Sequence, residues 1–198
     1  MAWLRRLARQ LLSFRSHHLY GIDCRSLAPP SPPDGELITL VDRDSAAAYP
    51  DLLSALVNIN TQNRDYLREI HRGRMACALI TVDGKLAHYG FLYLKNRSAL
   101  LLGLPVKTAL AGNAFTVPAF RGRGCQGRSL LKRACYANKL GFDQVVAETS
   151  VDNIASGKGL RKAGMVFLGR MDYLVLLRVL VIRWRRPPGF PLFSICLG

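Results

Sequence analysis

The sequence lacks the usual means of cross-linking a fold. Its five cysteines (Cys24, Cys77, Cys125, Cys135 and Cys196) are odd in number, scattered and free of Cys-x-x-Cys pairs. That argues against a disulfide framework or a zinc site, and for reduced thiols in a cytoplasmic compartment. The four histidines, His17, His18, His71 and His88, show no metal-ligand spacing, so no metal is expected. Long hydrophobic runs are also missing. The most apolar stretch, Tyr173 to Ile182, is about half of what a membrane span needs, and Arg178 interrupts it. The run Leu11 to Phe14 is too short and too rich in nearby arginine for a signal peptide, and no small-residue cleavage site follows. Internal repeats are absent. Negative charge is scarce: 13 acidic residues face 28 basic ones, for a net charge of +15. Aromatics interleaved with basic residues in the RNA-binding manner are absent, so nucleic acid is not expected as a partner. An anionic membrane surface or anionic small molecules suit the charge better.

What is present describes a globular α/β protein. The 198 residues suffice for one domain with a sizeable core, and the apolar share of 49% beside 21% charged residues is that of a folded chain. Residues 1–34 read as a basic N-terminal arm. Trp3, Leu4, Leu7, Ala8, Leu11 and Leu12 recur at helical spacing over Met1 to Phe14, with Arg5, Arg6 and Arg9 around the wheel. Such a helix would lie on an anionic membrane or pack on the domain or on a second subunit of a homodimer. Tyr20 to Leu27 is a short strand candidate, and Pro29 to Pro33 is an extended linker.

The domain proper spans residues 35–182. Glu36 to Val41 reads as its first strand. A helix capped by Asp44 or Ser45 follows, with Pro50 in its first turn, and a more polar helix runs from about Asn63 to His71. Met75 to Val82 and Leu86 to Leu94 form a hairpin about Asp83-Gly84. Ser98 to Leu104 and Asn113 to Val117 are further strand candidates. A helix from about Gln126 to Lys139, a strand at Val145 to Ser150 and a short helix from Asn153 to about Ala163 come next. Val166 to Leu168 and Tyr173 to Ile182 read as two closing strands. Residues 183–198 are a basic and apolar tail.

The chemistry concentrates in Phe115 to Leu131. A strand runs into a turn with Gly122, Gly124 and Gly127, and a helix opens behind it. Such a turn can aim backbone N–H groups at an anion, and the helix dipole favours negative charge at the same place. Arg121 and Arg123 add two cations, so a pyrophosphate is the natural guest. Gly122 to Gly127 is a literal Gly-x-Gly-x-x-Gly, with Glu148 at about the distance of a ribose-binding acid. Three features oppose a dinucleotide site. Pro118 to Arg121 separate the strand from the first glycine, about 70 residues remain where a doubly wound domain needs more, and arginines flank the turn.

The stretch resembles instead the acyl-CoA-binding motif of the GNAT N-acetyltransferase superfamily. Val117, Pro118, Arg121 and Gly124 match its pattern, while Gln126 stands where the family has a small residue. A second segment, Asn153-Ile-Ala-Ser156 leading into Leu160-Arg-Lys-Ala-Gly164, is similar to the family's later motif. The resemblance implies a three-layer fold, with a mixed, mostly antiparallel sheet between helices. It implies acetyl-CoA as acyl donor and an amine acceptor, here a small molecule. Thr116 and Val117 would meet the pantetheine and thioester, Arg121, Gly122, Arg123, Gly124, Cys125, Gln126 and Gly127 the pyrophosphate, and Asn153 and Ser156 the pantetheine from its other side. The tyrosine that the family often places seven residues after the motif asparagine is Leu160 here, which cannot protonate a leaving thiolate. Glu148, on the strand beside the cofactor gap, is the candidate base. His88 and Tyr89, on the central hairpin, are weaker candidates to face the acceptor, Tyr173 is weaker still, and Cys125 reads as a small filler. Two alternatives stay open: a non-catalytic acyl-CoA-binding module, and a protein N-acetyltransferase.

Overall fold

A computed structural model describes residues 12–95, 97–177 and 179–196. Nine strands form one sheet in the order β2-β3-β4-β5-β6-β1-β7-β8-β9. They are β1 (Leu12–Asp23), β2 (Glu36–Val41), β3 (Met75–Val82), β4 (Lys85–Tyr93), β5 (Thr108–Thr116), β6 (Gln144–Ser150), β7 (Val166–Leu176), β8 (Leu180–Arg185) and β9 (Phe193–Ile195). Every pairing is antiparallel except β5 with β6. Helices α1 (Pro50–Ile59), α2 (Asn63–His71) and α3 (Arg97–Leu102) lie on one face. Helices α4 (Cys125–Lys139) and α5 (Ile154–Lys162) lie on the other. This is the expected three-layer, mostly antiparallel arrangement.

Two apolar clusters follow from strand alternation. Leu56, Ile70, Leu79, Phe91, Val146 and Met171 fill the face under α1 and α2. Leu92, Ala111, Leu130, Ala134, Val145 and Leu160 fill the face under α4 and α5. Local chemistry sets several boundaries. Asp83 and Gly84 both have positive φ (49° and 76°), as a two-residue hairpin requires. Pro50 sits at the first position of α1, where its missing N–H costs nothing. Asn153 caps α5, its side chain accepting the Ser156 N–H at 3.0 Å.

The structure corrects four expectations. Met1 to Leu11 of the expected N-terminal helix lie outside the described residues, but Leu12 to Phe14 open a twelve-residue strand, not a helix turn. That strand is inserted between β6 and β7, so residues 12–23 do not stand apart from the sheet of residues 35–182. Leu19 goes to one core cluster and Tyr20 and Ile22 to the other, so the second half of the strand is buried on both faces. The strand expected at Ser98 to Leu104 is replaced by α3, followed by a turn: a short apolar run suits a buried helix as well as a strand. The two closing strands divide differently, into a long β7 and β8, with Leu177 at φ +52° in the connecting turn. Finally, the segment expected as a tail after residue 182 joins the sheet: β8 continues to Arg185 and β9 extends it.

Arg183 explains how that last segment is held. It is fully buried, and it donates to the carbonyls of Leu100 (3.2 Å), Leu101 (2.6 Å) and Pro191 (3.3 Å) and to Ser194 Oγ (2.8 Å). It thereby ties α3, the 187–191 loop and β9 to β8. Replacing it by methionine strands these acceptors in a dry site and is expected to cost about 3 kcal/mol. Differential scanning calorimetry should then show a fall in Tm on the order of 10 °C.

Candidate functional site

The site begins where the sheet comes apart. β5 and β6 pair from Thr108↔Gln144 to Ala111↔Ala147 and no further. The cause lies on the other side of β5. Phe91 pairs with Gly112 but Tyr89 pairs with Phe115, so β5 carries an extra residue there, and Asn113 takes φ +45°. Such a bulge bends its strand and ends regular pairing. The gap that opens holds a cleft of about 220 Å³, bordered by Gly112, Ala114, Ala147, Glu148 and Leu160. A larger cleft of about 740 Å³ adjoins it, and Ala114, Gln126, Asn153 and Ser156 border both.

The glycine turn forms one wall of the larger cleft. A 3₁₀ turn at Pro118–Phe120 and extended Arg121 lead to Gly122 and Gly124, with φ of +80° and +76°. Gly124 is the N-cap of α4. The N–H groups of Arg128 and Gly127 fold back onto the Gly124 carbonyl. Those of Gly122, Arg123, Gly124, Cys125 and Gln126 make no backbone hydrogen bond among the described residues. Five successive N–H groups without a backbone partner thus stand at the positive end of a fifteen-residue helix, a nest-like arrangement of the kind that suits an anion.

The charges around the nest differ in availability. Arg121 is exposed and donates weakly to the Thr116 carbonyl at 3.4 Å. Arg123 is exposed and lies over the Phe120 ring at 5.4 Å. Lys162 also borders the cleft. Arg128 is already engaged by the buried Glu36 carboxylate through two bonds of 2.6 and 2.5 Å, which pin α4 to β2. Cys125 is buried, and burial raises its thiol pKa, which fits a filler rather than a nucleophile. Across the cleft, the Asn153 carbonyl is committed to its helix cap, and Ser156 stands beside it.

His88 and Tyr89 are consecutive on β4 and therefore point to opposite faces, so they cannot both meet an acceptor. Tyr89 packs among Phe91 and Phe115. His88 faces the α4 side, its Nδ1 2.7 Å from Thr116 Oγ1. Burial and the nearby Arg133 and Arg128 lower its pKa to about 3, so it is neutral and unsuited to taking a proton. Arg133 is buried in the same layer, donates to the carbonyls of Ser129 and Phe91, and is lowered by burial to about 10.

Glu148 lies on the opposite face, at the edge of the gap. Its side chain is about a quarter exposed, and burial raises its pKa to about 7 against an ordinary 4.5. Its Oε2 lies 3.4 Å from His17 Nδ1, and neither atom has a hydrogen-bond partner among the described residues. Burial and Arg15 lower the His17 pKa. Tyr173 stacks on His17 with ring centres 5.8 Å apart, and burial and the Glu148 charge raise its pKa. Tyr93 is raised for the same reasons, and Asn113 joins its hydroxyl to that of Tyr66. Carboxylate, imidazole and phenols thus meet at the opened strands. Reading the sequence missed His17, because only the β1–β6 register brings it to Glu148. The alternation of Arg15, His17 and Leu19 against Ser16, His18 and Tyr20 was the one available signal. Leu160 is buried beside the gap and offers no proton.

No family model and no curated protein matches the sequence. Solved structures do. A GCN5-related N-acetyltransferase from Kribbella flavida aligns over 89% of this chain and 63% of its own, at 13% identity and a TM-score of 0.57. An acetyltransferase of the GNAT family from Colwellia psychrerythraea aligns over 83% and 57%, at 16% identity and 0.56. The aminoglycoside N-acetyltransferase AAC(6')-Iy in complex with CoA aligns over 65% and 90%, at 16% identity and 0.52. The chain thus spans about six tenths of the first two proteins. With its bulged β5, its parted β5 and β6 and its glycine turn before α4, this chain has the fold of the GNAT acetyltransferases.

Proposed function

We propose that the chain is an acyl-CoA-dependent N-acyltransferase that moves an acetyl group from acetyl-CoA to an amine on a small molecule. The observation that carries this reading is the run of five free N–H groups from Gly122 to Gln126, set at the mouth of the gap between β5 and β6. Acetyl-CoA, when bound, supplies the acyl group activated as a thioester. The nest and the exposed Arg121 and Arg123 hold the diphosphate. The edge of β5 beyond Ala111, unpaired with β6 and ending at Thr116, offers hydrogen bonds to the pantetheine amides, and Asn153 and Ser156 flank it. Val117, expected to serve there too, has its N–H on the Ala87 carbonyl and its own carbonyl on the Phe120 N–H, so it only shapes the wall. Glu148, whose pKa burial raises to about 7, takes the proton that the amine loses on acylation. His17, whose pKa burial and Arg15 lower, lies beside it at 3.4 Å.

The test is a thiol-release screen of small-molecule amines with acetyl-CoA, run alongside calorimetric titration with CoA. Turnover with at least one amine supports the enzyme. Leu160 favours one other reading, a module that binds acyl-CoA without catalysis. Tight CoA binding with no release on any amine would support that reading instead.

A further inference from the structure

The sheet is covered unevenly. On their face α4 and α5 pack mainly on β2 to β6 and β1, and among the described residues α5 approaches β7 at its near end, where Arg161 lies over Phe167. Alternation and register place a set of apolar side chains on the rest of that face. Leu12 and Phe14 of β1 pair with Leu176 and Leu174 of β7. These in turn pair with Leu180 and Ile182 of β8, which pair with Ile195 and Phe193 of β9. Trp184 completes the set, its ring edge-on to Phe14 at 6.2 Å. Phe14 and Phe193 are each 65% exposed, Ile195 69% and Trp184 53%. Four adjacent strands therefore present a continuous apolar face roughly 14 Å wide. A soluble chain seldom exposes such a patch without a use for it.

Charge indicates what covers it. Arg170 and Arg185 border the patch, and Arg161 extends the border over the Tyr20 and Phe167 rings. Asp172 is the acid among them, and it is already engaged by Arg170 (2.8 Å), Arg185 (3.7 Å) and Ser16 (2.7 Å). In the sequence, Arg5, Arg6 and Arg9 immediately precede the strand that enters this face, and the whole chain carries +15. A second copy would bring two basic borders together, which like-charge repulsion opposes. An anionic bilayer complements both the apolar centre and the basic rim.

We infer that the β1-β7-β8-β9 face docks on an anionic lipid surface. This does not rest on the acyltransferase reading. The test is co-sedimentation of the full chain with phosphatidylcholine vesicles, with and without phosphatidylglycerol. The double substitution W184Q/F193Q touches exposed side chains, so its Tm should stay near that of the parent. The parent should sediment with anionic vesicles only, at least ~10-fold less at high salt, and the variant at least ~10-fold less than the parent at low salt. Hydrogen exchange of the parent should slow over residues 180–184 and 193–195 when anionic vesicles are added, a readout that holds even if the variant folds poorly. Equal sedimentation of parent and variant, no sedimentation of the parent, or unchanged exchange would overturn the inference. A dimer of the parent that the variant dissolves, with no vesicle binding, would assign the face to a second copy instead.

Discussion

Replacing Gly124 by valine is expected to weaken CoA binding at least ~100-fold, on the order of 2.7 kcal/mol, with the fold retained. Gly124 holds φ +76° at the N-cap of α4, a conformation that costs other residues about 1–2 kcal/mol and β-branched ones more. The chain relieves that strain by rotating out of the left-handed region, and the nest N–H groups then no longer converge. A Cβ here would also sit 3.0 Å from Arg128 Nη1 and press on the Arg128–Glu36 pair. Loss of about 2 kcal/mol of stability lowers Tm by several degrees and leaves a folded protein. Isothermal titration with CoA, checked by circular dichroism, reads the effect. Unchanged affinity would remove the turn from the binding site.

Substituting Glu148 by glutamine is expected to lower kcat by ~10²- to 10⁴-fold while leaving CoA affinity unchanged. Its pH behaviour gives two further readouts with opposite signs. Activity needs the ionised carboxylate, so kcat of the parent should rise through about pH 7, and the variant should lose that limb. Stability runs the other way. The folded pKa of about 7 lies above the ordinary 4.5, so Glu148 contributes stability that is fully present below pH 4.5 and lost as pH rises through 7. The difference amounts to on the order of 3 kcal/mol, before the discount that partial exposure brings. Glutamine should therefore raise Tm at pH 8 and change it little at pH 4. Arg15, His17, Tyr93 and Tyr173 face the carboxylate, so the limb belongs to this coupled group as a whole. A pH-independent loss of activity would instead mean that Glu148 acts only by shape.

Much of the fold could be read from local signals where chemistry and conformation coincide. Asp83-Gly84 marked its hairpin and the pattern of Asn63 to His71 its helix, whereas the cap expected at Asp44 or Ser45 precedes only a 3₁₀ turn at Ala46–Ala48, and α1 starts at Pro50 behind Tyr49. The failures share a physical cause. β1 is central, with its Leu19–Ile22 half buried on both faces, and its polar His17 and His18 lie where packing rather than sequence decides their fate. The β7–β8 turn has Leu177 in the left-handed region, where neither glycine nor proline announces it. For the site, the three glycines and two arginines lie within one stretch and could be seen together. The His17–Glu148 approach depends on a register between residues far apart in the chain, which no local pattern encodes.

On the proposed reading, the turn before α4 and the gap between β5 and β6 form one binding site for an acyl-CoA. A crystal structure of the chain soaked with acetyl-CoA tests it directly. The diphosphate is expected on the N–H groups of Gly122 to Gln126, and the pantetheine between the ends of β5 and β6. The thioester should then lie on the side of the sheet that carries Glu148. A diphosphate bound elsewhere, or a gap left closed at saturating acetyl-CoA, would contradict this reading.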